Sequence, residues 1–270
     1  MRPVQRVLLW AMGLVLAMSA SAWAKPALNI ERLDDASIRR LEAILKRTET
    51  PIAKRRARGT LPLLTFQELY APLTPAQRSF LEAIRAVRPE SLQGSSRRLP
   101  APSPKERFTK IKDQWITKEG ERQPVPIQYV PEPVHTAYQR MMAAMQRDLG
   151  KHLLVESGYR SPAHQLYLFC FYLPKHGYSI RETNRFVALP GCSEHGCPSR
   201  QAIDFMDEHG VNGEDHPEQF EALDEYHWLQ QHAGEYGFFL SYPRDNTTNT
   251  TFEPWHWHFE LARDRSRPTR

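Results

Sequence analysis

The sequence predicts an α+β protein, a helical N-terminal region followed by a unit of short strands and helices. Three observations support this. The N-terminal third carries apolar residues at helical spacing. The C-terminal half carries four short strand-like runs, at 153–159, 201–206, 237–242 and 255–261. Helical patterns lie between them, at 162–173, 179–187 and 218–236, without the regular strand–helix repeat of a parallel sheet.

The chain of 270 residues opens on a segment outside the expected fold. Arg2 and Arg6 precede the apolar stretch 7–18, and Ala22-Trp23-Ala24 follows as a cleavage signal. This pattern predicts a secretory signal peptide over 1–24, cut before Lys25. A retained membrane anchor is the alternative, but the apolar stretch is short for a span. No cysteine follows it to take a lipid, so the mature chain is expected to be soluble, exported to the periplasm or beyond, and not inserted in a membrane. The formal charge of +5 falls to about +3 once Arg2 and Arg6 are removed. Only Lys54-Arg55-Arg56-Ala57-Arg58 is densely basic, and it reads as a solvated face and not as a nucleic-acid footprint.

Residues 25–125 form the expected helical region. Asp34 and Asp35 can cap a helix whose apolar face is Leu33, Ile38, Leu41, Ile44 and Leu45. Thr74 as N-cap with Pro75 opens a second, with Phe80, Leu81, Ile84 and Val87 on one face. The stretch 93–105, rich in Ser, Arg and Pro, reads as a linker. Residues 126–270 form the second expected unit. There Val134, Tyr138, Met141, Met142, Met145 and Leu149 mark a helix ending at Gly150.

The chemistry-bearing residues lie in this second unit. In 253–260, strand alternation puts His256 and His258 on one face and Trp255, Trp257 and Phe259 on the other. Glu253 stands three residues before His256, beside the restricting Pro254. Ile203 and Phe205 point one way and Asp204 the other, nine positions after His195. Two histidines and a carboxylate fill three tetrahedral positions and leave a fourth for water, the pattern of a catalytic zinc. Arg160 leaves the end of a strand just before a helix capped by Ser161 and could bind a carbonyl or carboxylate oxygen. Taken singly, each also admits a plainer reading: surface histidines on an edge strand, a loop histidine at 195, a salt-bridged Asp204, or Arg160 paired with Glu156. Cys192 and Cys197 bracket His195 and are the expected disulfide, with Cys170 as the other candidate partner.

Ser157-Gly158-Tyr159-Arg160-Ser161 with Gln165, Pro190-Gly191-Cys192-Ser193-Glu194-His195, Ala202-Ile203-Asp204 and Glu253-Pro254-Trp255-His256 together resemble the VanY-type D-alanyl-D-alanine carboxypeptidases. These belong to a wider zinc peptidase group that includes lysostaphin-like enzymes and the hedgehog domain. The resemblance spans roughly 130–261. It implies a small antiparallel sheet beneath a zinc cleft with flanking helices. It implies one Zn2+ per chain held by His195, Asp204 and His256, and Glu253 as general base. Arg160 would bind substrate and stabilise the oxyanion, and Gln165 and Ser193 would contact substrate. The implied reaction is removal of a terminal D-alanine from a peptidoglycan stem peptide. The alternatives are a wall endopeptidase of the same fold and a zinc-stabilised binding module without turnover. Two features depart from the pattern. The usual His-to-Asp gap is seven and here is nine, with Arg200 where the family has glycine. Lysostaphin-like relatives also bind zinc through the second member of a His-x-His, which would be His258; the VanY-type spacing favours His256.

Overall fold

The structure is a computed structural model that describes residues 28–92, 97–103, 105–248 and 250–261. The expected signal peptide lies outside the described residues. Among them, no helix is long and apolar enough to cross a membrane.

The first helix, α1 (Asp35–Ala57), starts where the sequence places it. The Asp34 carboxylate accepts the Ser37 N–H at 2.7 Å and satisfies a free donor of the first turn. Helices α2 (Phe66–Tyr70) and α3 (Pro75–Arg85) each open on a reciprocal capping box, Thr65 with Glu68 and Thr74 with Gln77. The apolar faces of α1–α3 do not close on one another alone. Leu41, Ile44, Leu69 and Leu81 share one core with Leu166, Phe169, Leu173 and Leu189 from the C-terminal half. The N-terminal helices are therefore built onto α5 (Pro162–Tyr172), the helix that follows Arg160.

Beyond the Pro/Ser-rich stretch the expected helical region ends in strands instead. β1 (Phe108–Ile111) pairs with β4 (Gln128–Pro131), and β2 (Trp115–Lys118) forms a hairpin with β3 (Glu121–Pro124). Their β-branched and aromatic residues, Phe108, Thr109, Ile111, Trp115, Ile116 and Thr117, suit a pleated surface better than a helix. Helix α4 (Glu132–Leu149) follows and stops at Gly150, which takes a left-handed conformation at φ +67°.

The central sheet has β5 (Leu154–Ser157), β6 (Ala202–Met206), β7 (Phe238–Leu240) and β8 (His256–Phe259) in the order β5-β6-β8-β7, with every pair antiparallel. One face packs Val155, Ile203, Phe205, Trp257 and Phe259 against α4 and α8 (Asp224–His232). Two helical expectations are shortened. The pattern at 179–187 gives only α6 (Ile180–Thr183) and turns. That at 218–236 breaks into α7 (Pro217–Glu221), α8 and a final 3-10 turn. Extended Leu223 separates α7 from α8 and lets Phe220 and Tyr226 meet in the core, ring centroids 6.0 Å apart.

Candidate metal centre and catalytic cleft

The register of the sheet builds the site. Asp204 pairs directly with His256, and Ile203 with Trp257. The apolar members of both strands face the core, so Asp204 and His256 emerge side by side on the other face. A bulge in β5 between Val155 and Ser157 brings Ser157 opposite Asp204 and re-aims the chain toward Arg160. Gly158 must be glycine here, because a Cβ would lie 2.4 Å from the Tyr129 carbonyl oxygen.

His195 arrives from the turn at 194–196. Its Nδ1–H donates to the Gly158 carbonyl at 2.7 Å, which fixes the tautomer. Burial, helped by Arg160, pulls its pKa down to about 4, so the ring is neutral and Nε2 carries a lone pair. That Nε2 lies 3.0 Å from Asp204 Oδ2 yet makes no hydrogen bond. A lone pair facing a carboxylate oxygen at that distance is repulsive unless a cation sits between them. The same carboxylate accepts from His256 Nδ1 at 2.7 Å through Oδ1. One ligand atom from each of His195, Asp204 and His256 falls within 4.8 Å of the others, and all three residues are buried. Two imidazole nitrogens and one carboxylate oxygen are a donor set that fits zinc.

The second nitrogen of His256 shows how this ligand is held. Nε2 lies 3.1 Å from Glu194 Oε2, and a carboxylate only accepts, so both His256 nitrogens carry protons here; a metal would displace the one on Nδ1 while Glu194 keeps the one on Nε2. Without a metal, Asp204 and Glu194 outweigh burial and push the His256 pKa up to about 10. Although burial opposes it, the two histidines hold Asp204 far below the usual carboxylate range. Glu194 is likewise held low by His256, His258 and Arg200 against its burial.

Glu194 has a role that its place in the Ser-Glu-His motif does not reveal. It also accepts from Arg200 Nε at 2.6 Å and Ser241 Oγ at 2.5 Å. Arg200 in turn bonds Glu260 through Nη1. Arg200, at the family's glycine position, thus braces the carboxylate behind His256. The only sequence hint was an arginine where the family pattern lacks one. His258 belongs to this rear network and not to the metal cluster. Its Nδ1 lies 2.7 Å from Ser241 Oγ and its Nε2 lies 3.2 Å from Glu260 Oε1.

Glu253 stands beside the cluster, its Oε2 3.8 Å from His256 Nδ1. Burial pushes its carboxyl up to about 8, partly countered by His256. Arg160 also reaches the cluster, with Nη2 3.5 Å from Asp204 Oδ2, and among the described residues its Nε is buried without a partner. Gln165 is occupied at both ends. Its Oε1 accepts from Arg160 Nη1 at 3.3 Å and its Nε2 donates to the Ala188 carbonyl at 2.7 Å. It lines the cleft with Arg160 as its neighbour. Ser193 lines the cleft beside His195. The expected disulfide is not formed. Cys170, Cys192 and Cys197 are all free and buried. Cys192 packs into the core shared with α1–α3, whereas Cys197 turns to Ser199, Sγ to Oγ 3.4 Å.

Arg160, Ser193, His195, Asp204, Glu253 and His256 line a cleft of about 850 Å³. A family model described as VanY, D-alanyl-D-alanine carboxypeptidase, matches residues 128–262, half of the chain. The chain is 29% identical over 141 residues to the bifunctional D-Ala-D-Ala dipeptidase and D-Ala-D-Ala carboxypeptidase VanXYC of Enterococcus gallinarum, covering 48% of this chain and 67% of that relative. It is 31% identical over 133 residues to the putative carboxypeptidase YodJ of Bacillus subtilis strain 168, covering 48% of this chain and 46% of that one. Among solved structures it resembles the LdcB LD-carboxypeptidase with a TM-score of 0.47 and 27% identity, over 62% of this chain and 74% of that one.

Proposed function

The chain belongs to the VanY family of D-alanyl-D-alanine carboxypeptidases, and from that premise we propose that it is an exported zinc peptidase removing the terminal D-alanine of peptidoglycan stem peptides. One observation carries the reading. The buried His195 nitrogen and the Asp204 oxygen face each other 3.0 Å apart in a geometry that calls for a cation, and Glu253 stands beside them. The carboxypeptidase names of the curated relatives agree with it. Export rests on the signal-peptide pattern over 1–24 and on a substrate that lies outside the cytoplasm.

His195 Nε2, an Asp204 oxygen and His256 Nδ1 would hold the zinc, which supplies Lewis-acid activation of water and of the scissile carbonyl. The protein's own groups do the rest. Glu253 takes the proton of the attacking water and passes it to the leaving amine. Burial, which raises its pKa above the ordinary carboxylate value, makes it a stronger base than a solvated carboxylate. Arg160, oriented by Gln165, donates to the developing oxyanion or to the terminal carboxylate. Glu194, braced by Arg200, keeps His256 in the tautomer that leaves Nδ1 free.

The test is a panel of defined stem peptides, with and without a terminal D-alanine, incubated with the zinc-loaded protein with and without a chelator. The cut is located by mass spectrometry. Release of one D-alanine, abolished by chelation, is the expected result. Cleavage inside the stem would make the protein an endopeptidase. No cleavage by fully loaded protein would leave a binding module.

A further inference from the structure

The match to the family begins at residue 128, but the cleft does not. One wall is built by the N-terminal region, from Arg56, Gly59, Leu61, Pro62, Arg97 and Leu99. This wall is fixed to the catalytic unit at several points. The Ser161 N–H donates to the Pro62 carbonyl at 2.9 Å and its hydroxyl to the Leu64 carbonyl at 2.5 Å, one residue past Arg160. The Tyr129 hydroxyl donates to the Gly59 carbonyl at 3.1 Å. Gly59 has a left-handed φ of +62°, and a Cβ there would come 2.7 Å from Ile127 Cδ1, so only glycine allows this approach. Further along, the Arg98 guanidinium donates to the carbonyls of Pro190, Arg85 and Val87. The Leu99 N–H donates to the Gly191 carbonyl at 2.8 Å. Arg97 is therefore carried on backbone pinned next to the turn that bears Ser193 and His195.

The charges on this wall are of one sign. Arg56 and Arg97 are exposed and, among the described residues, neither makes an ion pair with an acidic side chain. Arg56 is close enough to the cleft floor that its charge adds to that of Arg160 in depressing the His164 pKa, below the larger effect of burial. The acids of the cleft are already engaged. Asp204, Glu194 and Glu253 belong to the metal centre. Glu156 accepts from Asn212 at 2.6 Å and Glu214 from the Tyr172 hydroxyl at 2.8 Å. A peptide whose scissile bond lies at the cluster thus shares the cleft with two exposed guanidinium groups that, among the described residues, no carboxylate neutralises, Arg56 bonding only the Tyr167 hydroxyl. Such groups match a carboxylate with two parallel hydrogen bonds.

Resting on the proposed peptidase reading, we infer that Arg56 and Arg97 form a carboxylate subsite for the stem peptide. Their ligand is a free carboxylate on the acyl side of the scissile bond, such as the α-carboxylate that a γ-linked glutamate leaves exposed. This gives the N-terminal helices a role in substrate selection.

The test compares two stem peptides that both end in D-alanyl-D-alanine. In one the glutamate α-carboxylate is free, and in the other it is amidated. Wild type should prefer the free acid by about five- to tenfold in kcat/KM at low salt, mainly through KM, the scale of two exposed charge pairs. In the Arg56→Ala/Arg97→Ala protein the ratio should fall to near one, and Arg56→Lys should retain part of it. Melting temperature and zinc content check that the variants are folded. The same ratio is also read as equilibrium binding of both peptides to zinc-loaded Glu253→Gln protein. A wild-type ratio of one, or a preference that survives in the double variant, overturns the subsite. Equal cleavage of both peptides removes the subsite and keeps the peptidase. Preferential binding of the acid without any cleavage keeps the subsite and removes the peptidase.

Discussion

Replacing Glu253 with Gln separates an enzyme from a zinc-binding module and has a magnitude that the structure supplies. The carboxyl is buried and its pKa is raised to about 8 from an ordinary 4.5, with burial as the main cause. A raised carboxyl pKa means that the fold prefers the protonated form. The penalty is absent below pH 4.5, grows as pH rises, and is complete above 8. At pH 7 it is on the order of 3 kcal/mol in the metal-free protein. Glutamine keeps the size and removes the charge. The metal-free variant should therefore melt several degrees above wild type at pH 7, a gap that closes toward pH 4. Zinc content should be unchanged, because Glu253 lies outside the three-ligand cluster. Hydrolysis of a D-alanine-terminated peptide should fall by about two to four orders of magnitude, the scale of a lost general base. Thermal melting across pH, metal analysis and peptide hydrolysis measure the three effects on one preparation. Near-full activity in the variant would refute the base assignment. Loss of zinc would make Glu253 a ligand.

The ligand set makes its own prediction. His195→Ala, Asp204→Ala and His256→Ala should each lose zinc, whereas His258→Ala should keep it and lose melting temperature, since its nitrogens serve Ser241 and Glu260. An empty site in His258→Ala would reassign the ligand. Glu194→Gln should weaken zinc affinity by about 10- to 100-fold, the usual effect of removing the partner that orients a metal-bound histidine. Unchanged affinity in a chelator competition would show that Glu194 does not hold His256. Because the His256 pKa is raised to about 10, zinc must displace a proton. Apparent affinity should therefore climb about tenfold per pH unit between pH 6 and 8, and a flat profile would show that His256 is not protonated in the metal-free protein. Alkylation should find three free thiols after unfolding and almost none before, because Cys170, Cys192 and Cys197 are free and buried. A mass two units low, with one thiol remaining, would restore the disulfide.

Features under short-range control are legible in the sequence. Alternation along 202–206 and 256–259 was enough to put Asp204 and His256 on one face and Ile203, Phe205, Trp257 and Phe259 on the other, since strand neighbours always point opposite ways. Capping chemistry placed the starts of α1, α3 and α5, because each cap is a contact over three residues. Tertiary structure decided the contacts that no local period encodes. Glu194 meets His256 from 62 positions away, and Arg200 reaches Glu260 across 60. Gln165 meets Arg160 because the Ala188 carbonyl holds its other end. Cys192 is drawn away from Cys197 by a core that joins 163–192 to the N-terminal helices. That shared core also places Arg56 at the cleft. A helix face records only that it must be buried. Which surface covers it, and which exposed charges are carried along, depends on packing between segments far apart in the chain.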